Sequence, residues 1–163
     1  MARPSETSGS LAAMDLSEAN RLVERLLVAY PQARVSDETR SFYARYLGDL
    51  DARAASEAAD ELILDSAAFP TIAEIRRRVI EQDVGLPTAL EAWASIVATQ
   101  GSGESGAVAP LVREVCNLFG GSYTIRNSDQ PTIMRAQFLK AYAERRDEEL
   151  RRHNVARFRR HAA

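Results

Sequence analysis

The sequence is short of the residues on which most catalytic and metal sites depend. Its 163 residues include one cysteine, two histidines and one lysine. The lone Cys116 excludes an intramolecular disulfide and argues against a cysteine-rich zinc site. Both histidines, His153 and His161, lie near the C-terminus, so a catalytic dyad or a metal site built on core histidines has no candidate. The single lysine, Lys140, follows no glycine pattern, and the sequence therefore contains no phosphate-binding P-loop.

These absences lead us to expect a protein that is not an enzyme and that uses no cofactor or metal. Carboxylates are abundant, but they stand at helix starts and on polar faces, where capping and solvation account for them. The N-terminal stretch MARPSETSGS has no apolar segment of the kind found in signal peptides, and no apolar run reaches the length of a membrane span. We therefore expect a cytoplasmic protein with no membrane partner.

Charge is distributed unevenly along the chain. The formal net charge of −2 disfavours a protein that binds nucleic acid over its whole surface. Residues 151–163, however, contain five arginines and no acidic residue. The remaining 16 basic and 23 acidic residues give the rest of the chain a charge of about −7. A basic end on an acidic body is typical of an interaction arm.

Apolar residues recur at helical spacing almost throughout, and no segment alternates convincingly with a period of two. We therefore predict an all-α fold, with a bundle of about four helices followed by about three more and a basic C-terminal tail. The predicted segments are a disordered N-terminus over 1–15, a helical domain over 16–84, a helical unit over 88–145 and a charged tail over 146–163. The glycine- and serine-rich stretch 101–106 is predicted to be a flexible loop.

Local capping signals mark the ends of several predicted helices. Thr71 with Glu74, and Thr88 with Glu91, have the spacing of a capping box, in which each side chain accepts from the other residue's backbone N–H. Gly120-Gly121 suits a left-handed C-cap. The predicted starts of the first three helices also carry candidate N-cap residues: Ser17, Ser36 and Asp51.

The order of three short segments resembles that of a known family. Leu26-Leu27-Val28-Ala29-Tyr30-Pro31 is followed by Tyr43-Ala44-Arg45-Tyr46-Leu47-Gly48-Asp49-Leu50. An alanine-rich helix then leads to Phe69-Pro70-Thr71-Ile72-Ala73-Glu74-Ile75-Arg76. This arrangement is similar to the small helical N-terminal domain of the bacteriophage replicative helicase loader/inhibitor family. Shorter pieces of the second half resemble a region found downstream in such proteins: Glu91-Ala92-Trp93, Phe119-Gly120-Gly121 and 138–142.

The resemblance implies a non-enzymatic accessory protein of phage DNA replication. Proteins of this family bind a hexameric, DnaB-type replicative helicase, hold it inactive and deliver it to an origin-bound initiator protein. The implied partners are therefore a helicase of the virus or of the host and an initiator protein, and the implied location is the bacterial cytoplasm. In the family, the C-terminal part carries the helicase contact, which directs attention to the basic tail.

The first candidate partner-binding segment is Arg76-Arg77-Arg78, on the fourth predicted helix. Its arginines would contact an acidic helicase surface or a DNA backbone. The alternative is a solvated helix face without a partner, which we favour because most runs of charge serve solvation.

The second candidate segment is the tail, where six residues are the predicted contacts: Arg151, Arg152, Arg157, Phe158, Arg159 and Arg160. Val155 and Phe158 are three residues apart, so a helix would place two apolar anchors on one side for a protein partner. Alternatively, the arginines would neutralise phosphates while Phe158 stacks on a base, giving a weak nucleic-acid contact. A disordered, solubilising tail is the third interpretation.

Aromatic residues elsewhere are interpreted as core rather than as base-stacking groups, because Tyr43, Tyr46 and Trp93 stand at helical spacing among apolar residues. The sequence leaves open an alternative function as a DNA-binding replication initiator or transcriptional regulator, with a helical domain and the basic tail as a clamp. A self-associating assembly component is a further alternative.

Overall fold

The computed structural model describes residues 13–98 and 108–162. Within these ranges the regular elements are α-helices, together with one isolated bridge between Ala13 and Asp51. The predicted all-α fold is confirmed, and no helix in these ranges is both long and apolar enough to cross a membrane. The helices are α1 (Leu16–Ala29), α2 (Asp37–Leu47), α3 (Ala52–Asp65), α4 (Ile72–Val84), α5 (Ala89–Ala98), α6 (Pro110–Leu118), α7 (Ser122–Arg126) and α8 (Pro131–Ala162).

Both predicted capping boxes are present. The Thr71 hydroxyl accepts from the Glu74 backbone N–H at 3.2 Å, and the Glu74 carboxylate accepts from the Thr71 N–H at 2.7 Å. Thr88 and Glu91 make the same reciprocal pair at the start of α5. Two further N-caps are as predicted: Ser36 for α2 and Asp51 for α3.

The start of α1 differs from the prediction. The N-cap is Asp15 and not Ser17, because Asp15 and Glu18 form a capping box with both backbone-to-carboxylate bonds at 2.8 Å. Two reciprocal bonds to carboxylates stabilise this start more than one bond to the Ser17 hydroxyl. Met14 is buried and belongs to the core, so the predicted disordered segment 1–15 is wrong at its end. Residues 1–12 of that segment, and the predicted loop 101–106, lie outside the described residues.

The second half contains one helix more than predicted. Helix α7 has five residues, too few to show an apolar period in the sequence. It follows Gly120 and Gly121, whose φ angles of 81° and 95° give the left-handed turn that was predicted after α6. The Gly121 backbone N–H donates to the Cys116 carbonyl at 2.9 Å, which satisfies an end carbonyl of α6.

The chain divides into two compact units. Among the described residues, the first unit comprises 13–83 and 154–162, and the second comprises 84–98 and 108–153. Helix α8 therefore contributes to both units. The prediction of a separate tail over 146–163 is wrong as to structure, because residues 146–162 continue α8. Ion pairs between residues three or four apart, such as Arg152 with Glu149, stabilise this charged part of the helix.

The first unit packs α1 to α4 around leucine, alanine and isoleucine side chains. Three aromatic residues close one side of this core, since the Phe69 ring meets Tyr30 and Tyr43 edge to face at centroid distances of 5.9 and 5.7 Å. The Tyr43 hydroxyl donates to the Pro70 carbonyl at 2.9 Å. The tyrosine–proline and phenylalanine–proline segments of the sequence thus meet in one cluster, which gives them a structural role.

The second unit is built around Phe138 and Tyr142 of α8, both fully buried. Trp93 and Phe119 pack against Phe138 at centroid distances of 5.7 and 6.4 Å. The Tyr142 hydroxyl donates to the Pro87 carbonyl at 3.0 Å, and burial raises the pKa of this phenol. These contacts fix the N-terminal two-thirds of α8 in the second unit.

Candidate functional site: the C-terminal arm and the surface that it contacts

The last turns of α8 carry most of the predicted partner-binding residues, and we call residues 151–162 the C-terminal arm. A helix places residues three and four apart on one face. One face of the arm carries Asn154, Arg157 and Phe158, which are partly buried in the first unit. The other face carries Arg151, Val155 and Arg159, which are exposed. The sequence-based expectation that Val155 and Phe158 act as one pair of anchors is therefore wrong for this conformation.

A buried ion pair lies in the first unit where the arm contacts it. Arg76 on α4 and Asp49, after α2, are 6% and 4% exposed. The two guanidinium Nη atoms donate to the two carboxylate oxygens, and Nη1 also donates to the Tyr46 carbonyl. The remaining donor, Nε, donates to Oδ1 of Asn154 at 2.8 Å. The arm thus supplies the last hydrogen-bond partner of a buried guanidinium.

Arg157 extends this cluster to a second carboxylate. Its Nε donates to the Asp49 carbonyl at 3.1 Å, and its Nη1 lies 2.9 Å from Oδ2 of Asp83. Its side chain is 17% exposed. Two arginines and two aspartates therefore meet in a charge-balanced group, which is how proteins make ionised side chains tolerable away from water.

Phe158 covers the ion pair with its ring. The ring stacks on Tyr46 with a centroid distance of 5.2 Å and an interplanar angle of 18°. The Arg76 guanidinium carbon lies 5.4 Å from the same ring centroid, within the range of a cation–π contact. A base that stacked on Phe158 in this conformation would compete with Tyr46.

The three arginines of the first candidate segment do not share a surface. Arg76 is buried, so the sequence-based interpretation of a solvated face is wrong for this residue. Arg77 is exposed and its Nε donates to Glu81 at 3.2 Å. Arg78 joins α4 to α3 through ion pairs of 3.4 Å with Glu61 and 2.7 Å with Asp65.

The arginines on the exposed side of the arm differ in their pairing. Arg152 forms an ion pair with Glu149, which holds the pKa of that carboxyl below its usual value. Arg151 donates to the Asp147 carbonyl of its own helix. Arg159 and Arg160 are exposed and form no ion pair with any described residue. The end of the arm therefore presents two uncompensated positive charges.

Three residues of this site were not singled out by sequence reasoning: Tyr46, Asp49 and Asp83. A signal for Asp49 was present, since this aspartate stands between Leu47 and Leu50, which are both fully buried. A carboxylate within such an apolar stretch indicates a buried charge with a cationic partner. Over 13–98 and 108–162, no group of three or more histidine, cysteine, aspartate or glutamate side chains is arranged to hold a metal ion.

Residues 14–76 match a family model for the N-terminal domain of a phage helicase loader/inhibitor. The matched segment, less than half of the chain, begins at the buried Met14 and ends at Arg76, and it contains all three segments of the resemblance seen in the sequence. No curated protein and no solved structure matches the chain. The resemblance of this segment to the phage helicase loader/inhibitor family is therefore confirmed, and it marks the chain as a phage helicase-associated protein.

Proposed function

We propose that the protein binds a DnaB-type hexameric replicative helicase and loads or inhibits it at the phage origin, in the host bacterial cytoplasm. The match of residues 14–76 to the N-terminal domain of the loader/inhibitor family carries this proposal. The protein acts stoichiometrically, hydrolyses no nucleotide itself, and passes the helicase to an origin-bound initiator protein. A small helical unit with an exposed basic arm suits a binding role of this kind.

The exposed face of the C-terminal arm is the contact surface that we assign to the helicase. Arg159 and Arg160 have no internal counter-charge among the described residues, and Val155, 49% exposed, adds an apolar contact on the same side. Guanidinium groups pair bidentately with carboxylates, so the matching partner surface is acidic. The acidic body of the chain makes the arm the part that such a surface attracts.

The test compares helicase binding by the full chain and by the double variant Arg159→Ala/Arg160→Ala. Exposed ion pairs contribute about 0.2–1 kcal/mol each, so the double variant should bind about 2- to 30-fold more weakly. Isothermal calorimetry with nuclease-treated helicase measures this difference. The matched control is Arg21→Ala/Arg34→Ala, which removes the same charge from two exposed arginines of the first unit.

Two results would count against the proposal. Equal loss of affinity in both double variants would show general charge attraction and remove the arm from the interface. A full chain that captures no helicase but shifts DNA, with an affinity that falls steeply as salt rises, would favour the DNA-binding initiator or regulator instead.

A further inference from the structure

The arm residues best suited to anchor a protein partner are the ones that contact the first unit. Aromatic and arginine side chains supply most of the binding energy at protein interfaces. Phe158 is the only phenylalanine, tyrosine or tryptophan in the arm, and its ring is stacked on Tyr46. Arg157 is engaged by Asp49 and Asp83. A partner that uses these two side chains must first separate them from the first unit.

The contact that holds them is small and lies at the end of a helix. On the arm it consists of Asn154, Arg157 and Phe158, while Arg151, Arg159 and Arg160 point to solvent. Contacts of a few side chains near a chain end open locally without global unfolding. The buried pair of Arg76 and Asp49 stays bonded when the arm leaves, because its bidentate bonds lie within residues 13–83.

We infer that these contacts form a clasp that regulates binding: closed, it withholds Arg157 and Phe158, and open, it releases them to the helicase. The clasp is defined as the contacts of Asn154, Arg157 and Phe158 with Tyr46, Asp49, Arg76 and Asp83. The regulatory part of this inference rests on the proposed function. The exposed arginines make the first contact, and full affinity requires the clasp to open.

An equilibrium of this kind lowers apparent affinity by the fraction of molecules that are open. Weakening the clasp from the first-unit side leaves every arm residue intact and should therefore tighten helicase binding. Removing Phe158 also opens the clasp, but it deletes an anchor and should weaken binding. The two kinds of substitution thus act in opposite directions, which a purely structural contact would not produce.

The variants that open the clasp are Asp83→Asn and Tyr46→Ala. Asp83 is partly exposed and its ion pair with Arg157 spans 2.9 Å. The matched control is Asp65→Asn, because Asp65 makes a 2.7 Å ion pair with Arg78 elsewhere in the first unit. Asp49 is avoided, since its removal would leave Arg76 buried without a counter-charge.

Hydrogen exchange of the full chain without helicase tests the clasp itself. Amides of 154–162 should exchange several-fold faster in Asp83→Asn and Tyr46→Ala than in the unsubstituted chain, and no faster in Asp65→Asn. Unchanged exchange in both clasp variants would overturn the inference. Thermal unfolding of each variant separates local opening from loss of the fold.

Helicase titration tests the regulation. We expect Asp83→Asn to bind about 2- to 5-fold more tightly, Tyr46→Ala to bind more tightly still, and Phe158→Ala to bind more weakly. Faster exchange without tighter binding would overturn the withholding role. If the unsubstituted chain and all variants fail to bind helicase, the proposed function fails, and with it the regulatory role, while the exchange data still decide whether the clasp exists.

Discussion

Neighbouring arginines on α4 illustrate how different the energetic roles of one residue type are. Arg76 has a buried bidentate bond to Asp49, whereas Arg78 makes surface ion pairs with Glu61 and Asp65. Removing one member of a buried pair leaves an uncompensated charge and typically costs about 3–5 kcal/mol, while an exposed pair contributes about 1 kcal/mol or less. We expect Arg76→Ala to lower the free energy of unfolding by about 3–5 kcal/mol and Arg78→Ala by at most about 1 kcal/mol, measured by urea denaturation.

The double variant Asp49→Leu/Arg76→Met is the control for this prediction. It removes both charges and replaces them with apolar side chains of similar length, so most of the stability lost in Arg76→Ala should return. Equal destabilisation by Arg76→Ala and Arg78→Ala would contradict the assignment of Arg76 as a buried charge.

The burial of Arg76 was not predictable from its neighbours in the sequence. Arginine runs usually lie on solvated faces, and the partner carboxylate stands 27 residues earlier. Only the position of Asp49 between buried leucines carried a signal, and that signal does not say which arginine pairs with it. Choosing among twenty arginines requires the three-dimensional packing of α4 against the end of α2.

At the level of the helices, capping boxes were predictable because both partners lie within four residues. The Thr71 backbone N–H and, less strongly, its hydroxyl hold the pKa of Glu74 below the usual value. The same arrangement with Thr88 lowers the pKa of Glu91. The short α7 and the Asp15 cap were missed, because five residues show no period and because two adjacent polar residues competed for the start of α1.

The lowered pKa of Glu74 predicts a pH-dependent contribution to stability. A carboxyl whose pKa is lower in the folded state stabilises the fold above its unfolded pKa, and this contribution is lost as pH falls through the folded pKa. Glu74→Gln keeps the capping geometry but removes the charge. We expect it to be less stable than the unsubstituted chain at pH 7, by a fraction of about 1 kcal/mol, and the difference to shrink toward pH 3.

Urea denaturation at pH 3, 5 and 7 measures that difference. Glu91→Gln is a second instance on α5 and should show the same sign of pH dependence. Thr71→Ala removes the hydroxyl acceptor as well and should cost about 0.5–2 kcal/mol at pH 7. A Glu74→Gln deficit that stays constant between pH 7 and pH 3 would contradict the role of the charge.

For the whole molecule, the sequence indicated a boundary near residue 84 but not the membership of the arm. The end of the first helical stretch and the break before Thr88 are local features, and the structure divides the chain between Asp83 and Val84. The return of 154–162 to the first unit depends on contacts such as that between Arg157 and the Asp49 carbonyl, 108 residues apart. No local propensity encodes a pairing at that separation.

Removing residues 154–163 tests this arrangement at the scale of the molecule. The truncated chain loses the Asn154 bond to Arg76, the Arg157 ion pair with Asp83 and the Phe158 ring, while the bond between Arg76 and Asp49 remains. After the entropy of ordering the arm is offset, we expect the first unit to lose about 1–2 kcal/mol. This loss is smaller than that of Arg76→Ala, because no buried charge is left without its partner.

Hydrogen exchange resolved by segment measures where that stability is lost. Amides of α2 and α4, which carry Tyr46 and Arg76, should exchange about 5- to 30-fold faster in the chain that ends at His153. Amides of α6, which belongs to the second unit, should keep their rates. The clasp variants Asp83→Asn and Tyr46→Ala should shift the same amides in the same direction by less, since each removes only part of the contact. Faster exchange in α6 to the same extent as in α4 would instead show that the arm stabilises both units, and would contradict its assignment to the first.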